Sequence, residues 1–592
     1  TSLQQAIGHD TSAQRFVLTP KSFGQESLTT GIYSFGNNNY RISSLGNGVY
    51  TIYSLTQNGF CAANGNGSMY FAASSDAAEA KWLVTKTSDG YVFQSAAHQT
   101  YMTSDAGLSS NAENISISDL NASVTDYSVK YDLSALNTLD SLNGIQVISR
   151  LHTLGLSRSD LMNPEANMTS LNTNIQNALS GLPTQTVQYT GTDVDDLNQF
   201  LQNNTGKIVQ LTQDIQVYKN TNGSFGIIMV PSDTILDGNG HRLVMKAGYT
   251  EAPDVGVVLY VYKDGVIPST NCGVKNLSTD IPYVNSINVF SADNILIENN
   301  TLNNATKSGI MISDEYGSTV NGIIRGNTIN NVGDDAIAVY GNHSNLLIDS
   351  NRISGAKGFA GIAISCLQNG QQIRVDNETT GPHDIIVTGN VISGCSGEAL
   401  YCIGSYKTYI TYNTLRDSIL EGVCLDSGCI GNYFAHNEVV NNGIAGGLPG
   451  VSIDNGIYNI VDSNNVYNNS CSGIKLVRTG LGNIIVNNIC TDNAYNQMGA
   501  KSSGIDIEPL AVETENLGYI DGLGSNWNVV LNNTVTGSHD FGVFIADDDT
   551  ANNGGSSCEN VIMYNKFSSA YTFGAADFSS MSSTVKNNIT LN

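Results

Sequence analysis

Positive charge is scarce in this chain: 26 lysines and arginines stand against 52 aspartates and glutamates in 592 residues, a formal net charge of −26. With no basic stripe to neutralise phosphates, nucleic acid is excluded as a partner, and the field of the whole molecule disfavours a strongly anionic polysaccharide. Charged residues of both signs make up only 13% of the chain, too few for solvent-exposed helices to dominate. Long apolar runs are also missing. None approaches the roughly 20 residues of a membrane-spanning helix, so no membrane insertion is expected. Cysteine is sparse, 10 in all, and falls at no CxxC spacing, which excludes a disulfide scaffold and a zinc site of that kind. Several cysteines, Cys402 among them, occupy inward positions of the strand pattern and are expected as buried free thiols. The chain opens at Thr1 without a methionine or signal segment, the expectation for a processed protein that is secreted or held at the cell surface.

What the chain has in quantity is glycine, 60 residues, together with Asn, Ser and Thr crowded toward its C-terminal part. That composition belongs to many stacked strands joined by polar turns. Three regions are expected. Residues 1–125 contain short alternating segments such as YRISSLGNGVYTIYSL and KWLVTKTSDGYVFQSA between Asn/Gly turns, a small all-β module. The phrase around Trp82 is similar to carbohydrate-binding trefoil modules, which implies sugar binding in that module. Residues 126–200 change to apolar spacings of three and four, as in LSALNTLDSLNGIQVISRLHTLGL, a helical linker or cap. Residues 201–592 repeat.

The repeat has the form x-(I/L/V)-x-(I/L/V)-x-x-N, as in NILIENN, NLLIDSN and DIIVTGN. Its closing asparagine is placed at Asn300, Asn327, Asn351, Asn390, Asn413, Asn437, Asn465, Asn488, Asn533 and Asn565. Such spacing fits one coil of a solenoid in which each coil gives three short strands and stacks on the last. The fold class expected is mainly β: a right-handed parallel β-helix of about ten or more coils, its hand set by the preference of parallel crossovers. The asparagine column has a reason, since each amide can bond to the equivalent turn of the next coil. The longer gaps, 351 to 390 and 488 to 533, are insertions pushed out of the coil.

A second strand, G-(I/V/L)-x-(I/L/V/C)-x, recurs in register as GIMIS, AIAVY, GIAIS, ALYCI, GVCLD, GVSID, GIKLV, GIDIE and GVFIA. Alternation turns its second and fourth residues inward and its third and fifth outward. The fifth column then reads Ser313, Tyr340, Ser365, Ile403, Asp426, Asp454, Val477, Glu508 and Ala546. Two acids fall on consecutive coils. At the spacing of neighbouring strands, ~4.8 Å, Asp426 and Asp454 hold their carboxyl groups about 5 Å apart, where both cannot ionise freely. That separation suits the acid and nucleophile of a retaining glycosidase. Lys475, Asp506 and Glu508 lie close by in the outward columns, with Arg478 just past its strand, and Tyr401, Tyr433, Tyr458 and Trp527 are candidates to stack on sugar rings. The same stacked acids also suit a structural calcium or a plain solvated face, and the residues alone leave those readings open. No catalytic metal or other cofactor is expected. Asp334 with Asp335, and the run Asp547 to Asp549, read as turn or loop acids or minor ion sites; His383, His436 and His539 read as turn or surface residues.

The phrases EGVCLDSGCIGNYFAHN, LPGVSIDNGIYNIV, SGIKLVRTG and SGIDIE resemble the β-helical lacto-N-biosidases of glycoside hydrolase family 136. The likeness covers roughly residues 270 to 570, and the LDSG, LPGVSIDN and VRTG phrases are its most specific parts. It implies an enzyme of gut bacteria that releases lacto-N-biose from lacto-N-tetraose-like chains with retention, with Asp426 and Asp454 at the matching catalytic positions. The alternatives from other classes are a polysaccharide lyase using Lys475 or Arg478, a fructotransferase on the same fold, and a non-catalytic adhesin or tailspike-like binder.

Overall fold

The computed structural model describes most of residues 28–119 and of 164–592, apart from 220–225, 369–370, 373–380, 495–502, 510–524, 547–556 and some shorter stretches. The helices expected between 130 and 163 lie outside the described residues.

The short strands from Gly31 to Asp119 pair antiparallel in one sheet. Their alternating apolar residues close on a core of their own that holds Tyr33, Tyr40, Ile52, Phe93 and Trp82. Trp82 is fully buried and its indole N–H donates to the Cys61 carbonyl at 2.8 Å. A buried indole needs such a partner, and the ring is part of the module's core.

From Thr186 onward the chain winds into a parallel β-helix, and among the described residues three parallel sheets of 15, 14 and 13 strands result. One coil runs Tyr406–Thr411, Thr414–Arg416, Val423–Asp426, and the next Tyr433–Ala435, Glu438–Val440, Val451–Asp454. Ile, Val and Leu at inward positions of all three strands form one continuous core, since every coil buries its apolar face only against its neighbours. The nine described cysteines are free, and all but Cys471 are buried.

The first strand of the coil, Thr186–Tyr189, lies inside the span read as linker, which moves the start of the solenoid from 201 to 186. The helix Val194–Asn203 follows it, capped by the Asp193 carboxylate, which accepts from the N–H groups of Asp195 and Asp196. Val194, Leu197 and Leu201 of this helix enter the main core and close the open end of the coil. The preceding helix, Pro164–Ala178, instead lies along the outside of the first sheet. Leu171 and Ile175, four apart, and Leu179 just beyond pack on Ile323, Leu347, Ile386, Tyr406, Tyr409 and Tyr433, a pairing that buries an outer sheet face which would otherwise meet water.

Stacked asparagines run along the coil corners. In the main column each Nδ2 donates to the Oδ1 of the next rung, as from Asn351 to Asn390 at 2.9 Å, while Asn390 Oδ1 also accepts the Asn351 backbone N–H. At one rung the expected residue is wrong by one: Asn464, fully enclosed between Asn437 and Asn488, is the ladder member, and Asn465 is exposed at the start of its strand. Two adjacent asparagines satisfy the sequence pattern equally, and only the turn decides between them. A second ladder joins Asn432, Asn459, Asn483, Asn528 and Asn560. A third joins Asn442, Asn469 and Asn493 and ends on His539, whose Nε2 accepts the Asn493 N–H. His539 is thus a buried structural residue, held neutral because burial pushes its pKa down to about 4. The ladder steps directly from Asn351 to Asn390 and from Asn488 to Asn533, so each of the two long gaps still spans a single rung.

Candidate functional site

The third sheet carries the acids. Its strands pair Ile403 with Asp426, Leu425 with Ile453 and Asp454 with Val477, which gives Asp426 and Asp454 the same outward place on adjacent rungs. The strand spacing there is ~4.8 Å.

The two carboxyl groups meet different surroundings. Asp426 accepts the Tyr401 hydroxyl at 2.7 Å on Oδ2 and the Ser427 backbone N–H at 2.6 Å on Oδ1. Asp454 accepts Arg478 Nη1 at 2.6 Å on Oδ2, while its Oδ1 is buried with no hydrogen-bond partner among the described residues. Burial and the neighbouring Asp426 charge push Asp454 up to about 7, against the downward pull of Arg478 and Lys475. Arg478, which reaches back one rung to Asp454, has a left-handed backbone, φ 62°, an unusual state for a residue with a side chain.

Lys475 lies one rung from Asp506 in the third outward column. Its ammonium is 2.8 Å from Glu508 and 3.7 Å from Asp506. Burial works against this charge, but Asp506 and Glu508 overcome it and hold the ammonium above the ordinary lysine range. Asp506 is almost fully enclosed and also accepts the Ser472 hydroxyl at 3.4 Å. The structure therefore brings together Asp426, Asp454, Lys475, Arg478, Asp506, Glu508 and Tyr401.

It does not bring in the other aromatics. Tyr433 is on the first sheet, 1% exposed under the helix Pro164–Ala178, with its hydroxyl against Glu165 and Asp462. Tyr458 is buried in the same cluster. Tyr433 opens a strand of a sheet that a helix covers, and Tyr458 lies in the turn before the next strand of that sheet. Trp527 and Asp547 to Asp549 lie outside the described residues. Among the described residues no group of three His, Cys, Asp or Glu side chains is arranged to hold a metal ion.

Two acids were missed. Glu398 and Glu421 directly precede the strand phrases ALYCI and GVCLD, and both are nearly enclosed. Burial pushes Glu398 up to about 7; burial and then Glu398 push Glu421 up to about 8. A signal existed, since the residue before each phrase forms its own column. Asp335 belongs to that column also: buried, raised to about 7 by burial, it accepts the Tyr340 hydroxyl and the Ala360 N–H.

The sequence family described as right-handed beta helix region matches residues 269–380. No curated protein matches the chain. Among solved structures it is similar to the A-module of the Azotobacter vinelandii mannuronan C-5 epimerase AlgE6, at 14% identity over 68% of this chain and 100% of that one, TM-score 0.36. It is also similar to PfbA, a surface adhesin of Streptococcus pneumoniae, at 12% identity over 66% and 91%, TM-score 0.37. The periplasmic alginate epimerase AlgG follows at 11% identity over 71% and 88%, TM-score 0.36. Such distant likenesses say nothing of the chemistry of the site. The chain is a right-handed parallel β-helix with a small antiparallel module before it.

Proposed function

We propose that this protein is a retaining glycoside hydrolase with Asp426 and Asp454 as its working pair. One observation carries the reading: two acids share one outward place on adjacent rungs in different surroundings, Asp426 under the Tyr401 hydroxyl and Asp454 buried and raised to about 7. Carboxyls so arranged divide into acid and nucleophile. Asp454, raised to about 7, supplies the proton to the glycosidic oxygen as the bond to the anomeric carbon breaks. Asp426, held in place by the Tyr401 hydroxyl and the Ser427 N–H, forms the new bond to that carbon. Asp454, now ionised, takes a proton from water as water displaces Asp426, and the sugar leaves with its configuration kept.

The lyase reading fits less well. A lyase base must give up its proton near neutral pH, and Lys475 is held protonated between Asp506 and Glu508. The net charge of −26 also favours a neutral glycan over a uronate polymer. The resemblance in the LDSG, LPGVSIDN and VRTG phrases directs the choice among neutral glycans to lacto-N-tetraose, cleaved to lacto-N-biose, by a secreted or surface-held enzyme.

The test is incubation of the full chain with lacto-N-tetraose beside fructan and plant polysaccharides, with mass detection of fragments. Release of a neutral disaccharide without an unsaturated bond supports the reading, and an unsaturated product defeats it. No resident cofactor is part of the mechanism, so dialysis against EDTA leaves turnover unchanged.

A further inference from the structure

Glu398 and Glu421 are left without work by the chemistry above. They occupy equivalent places on adjacent rungs, fixed by the pairing of Leu400 with Val423 and by the Ala399 N–H donating to the Glu421 carbonyl at 3.1 Å. Their backbones are therefore separated by one strand spacing, ~4.8 Å. The residues are 6% and 9% exposed. Gly422, which follows Glu421, has no room for a side chain: a Cβ would come 2.5 Å from Val439 Cγ1 and 2.8 Å from the Gly450 carbonyl. The chain bends tightly there, and the glutamate just before the bend lies within electrostatic reach of Cys424, Asp426 and Asp454, all outside the coil.

Glu398 Oε2 is buried with no hydrogen-bond partner among the described residues. Leaving a carboxyl oxygen in that state is costly, and a native protein keeps such a group only for a reason. No basic side chain is paired with either glutamate among the ion pairs of the described residues. On the same side, Tyr401 bridges the glutamates and the acid pair: its hydroxyl binds Asp426, Glu398 lies within electrostatic reach, and its ring meets Phe359 edge-on at 4.9 Å. Phe359 is half-buried, and its carbonyl accepts the Gly397 N–H at 2.9 Å, one residue from Glu398.

From this geometry we infer that Glu398 and Glu421, with Phe359 alongside, form a saccharide subsite that accepts the hydroxyl groups of the sugar next to the bond cleaved by Asp426 and Asp454. An uncharged ring brings what the place lacks, adjacent O–H donors for two acceptors one rung apart and C–H groups for an aromatic edge. The inference rests on the glycosidase reading and adds to it the residues that hold the substrate. Neither glutamate touches the reacting atoms, so both are positioning residues.

The experiment compares the full-length protein with Glu398→Leu, Glu421→Leu and Glu398→Gln on lacto-N-tetraose, and measures binding of the same tetrasaccharide by calorimetry in an Asp426→Asn background. Each leucine variant raises KM and the dissociation constant about tenfold or more, the loss expected for hydrogen bonds to a carboxyl group, while kcat changes less than about threefold. Glu398→Gln, which keeps an acceptor oxygen, recovers most of the affinity. The leucine variants melt no lower than the parent, since a buried unpaired carboxyl is replaced by an apolar group. Unchanged KM and binding in both leucine variants overturn the subsite while leaving the glycosidase reading intact. If the parent neither cleaves nor binds the tetrasaccharide, the glycosidase reading falls and the subsite with it. If millimolar calcium raises the melting temperature of the parent but not of the leucine variants, the pair is a cation site and the subsite is overturned.

Discussion

Arg478 reaches back from its own rung to place Nη1 2.6 Å from Asp454 Oδ2. The contact joins a cation to an acid that burial and Asp426 hold at about 7, so it restrains a shift already under way. Removing the guanidinium in Arg478→Ala takes away the downward influence, and Asp454 titrates higher. If Asp454 delivers the proton, activity on the alkaline side requires its protonated form. The alkaline limb of the kcat/KM profile therefore moves up by roughly one unit, while Arg478→Lys moves it less because the charge survives. A limb that stays in place would separate Asp454 from proton delivery.

Asp426→Asn and Asp454→Asn should each lower kcat on a natural glycan by about a thousandfold or more, with the melting temperature nearly unchanged. An aryl glycoside with an acidic leaving group distinguishes them. Its departure needs no proton, so Asp454→Asn still forms the covalent intermediate rapidly, seen as a burst of phenol. Asp426→Asn gives no burst on either substrate. Equal bursts from both variants would end the assignment of roles.

Stability should fall as pH rises through neutrality, the reverse of an ordinary acid-denatured protein. Glu398, Glu421, Asp335 and Asp454 have folded pKa values of about 7, 8, 7 and 7, above the 4.5 and 3.8 of free glutamate and aspartate. The folded state then holds more protons than the unfolded one between about pH 4 and 8, and linkage makes each unit of rising pH costly there. Their contribution is complete below pH 4 and lost as pH passes 7 to 8. For Glu398 alone the stake is on the order of 3 kcal/mol. His343 and His539, lowered to about 4 by burial, act oppositely only below about 6.5. Between pH 6.5 and 8 the carboxyls dominate, since the buried thiols, raised from 9 to about 12, add to the loss only above that. Melting temperatures across that window should drop, and Glu398→Leu and Glu421→Leu should flatten the slope.

Much of the site followed from period and register. The fifth outward column could be read because strands of one sheet advance by two residues per face, and the pairing of Ser313 with Tyr340, Tyr340 with Ser365 and Ile403 with Asp426 keeps that column intact. Tyr433 escaped because its outward place is indistinguishable in sequence from that of Tyr401; only the helix Pro164–Ala178, far away in the chain, decides which sheet is covered. Glu398 and Glu421 escaped for another reason. They lie in a corner, before the alternation begins, where no simple period says which way a side chain turns.

The slip from Asn465 to Asn464 offers the sharpest stability test, because two identical neighbours have opposite structural roles. Asn464 donates its amide to Phe434 O at 3.0 Å and Asn488 Oδ1 at 2.9 Å, and its own Oδ1 receives the Asn437 backbone N–H at 2.8 Å. Asn464→Ala removes the acceptor for a buried N–H and leaves amides on both neighbouring rungs short of a partner, at a cost of about 3 kcal/mol. Asn465→Ala, at an exposed strand start, costs roughly 0.5 kcal/mol or less. Urea unfolding followed by circular dichroism should show a clear midpoint drop for the first and almost none for the second. Equal drops would mean that both asparagines share the ladder and that the corner turns one residue later than described.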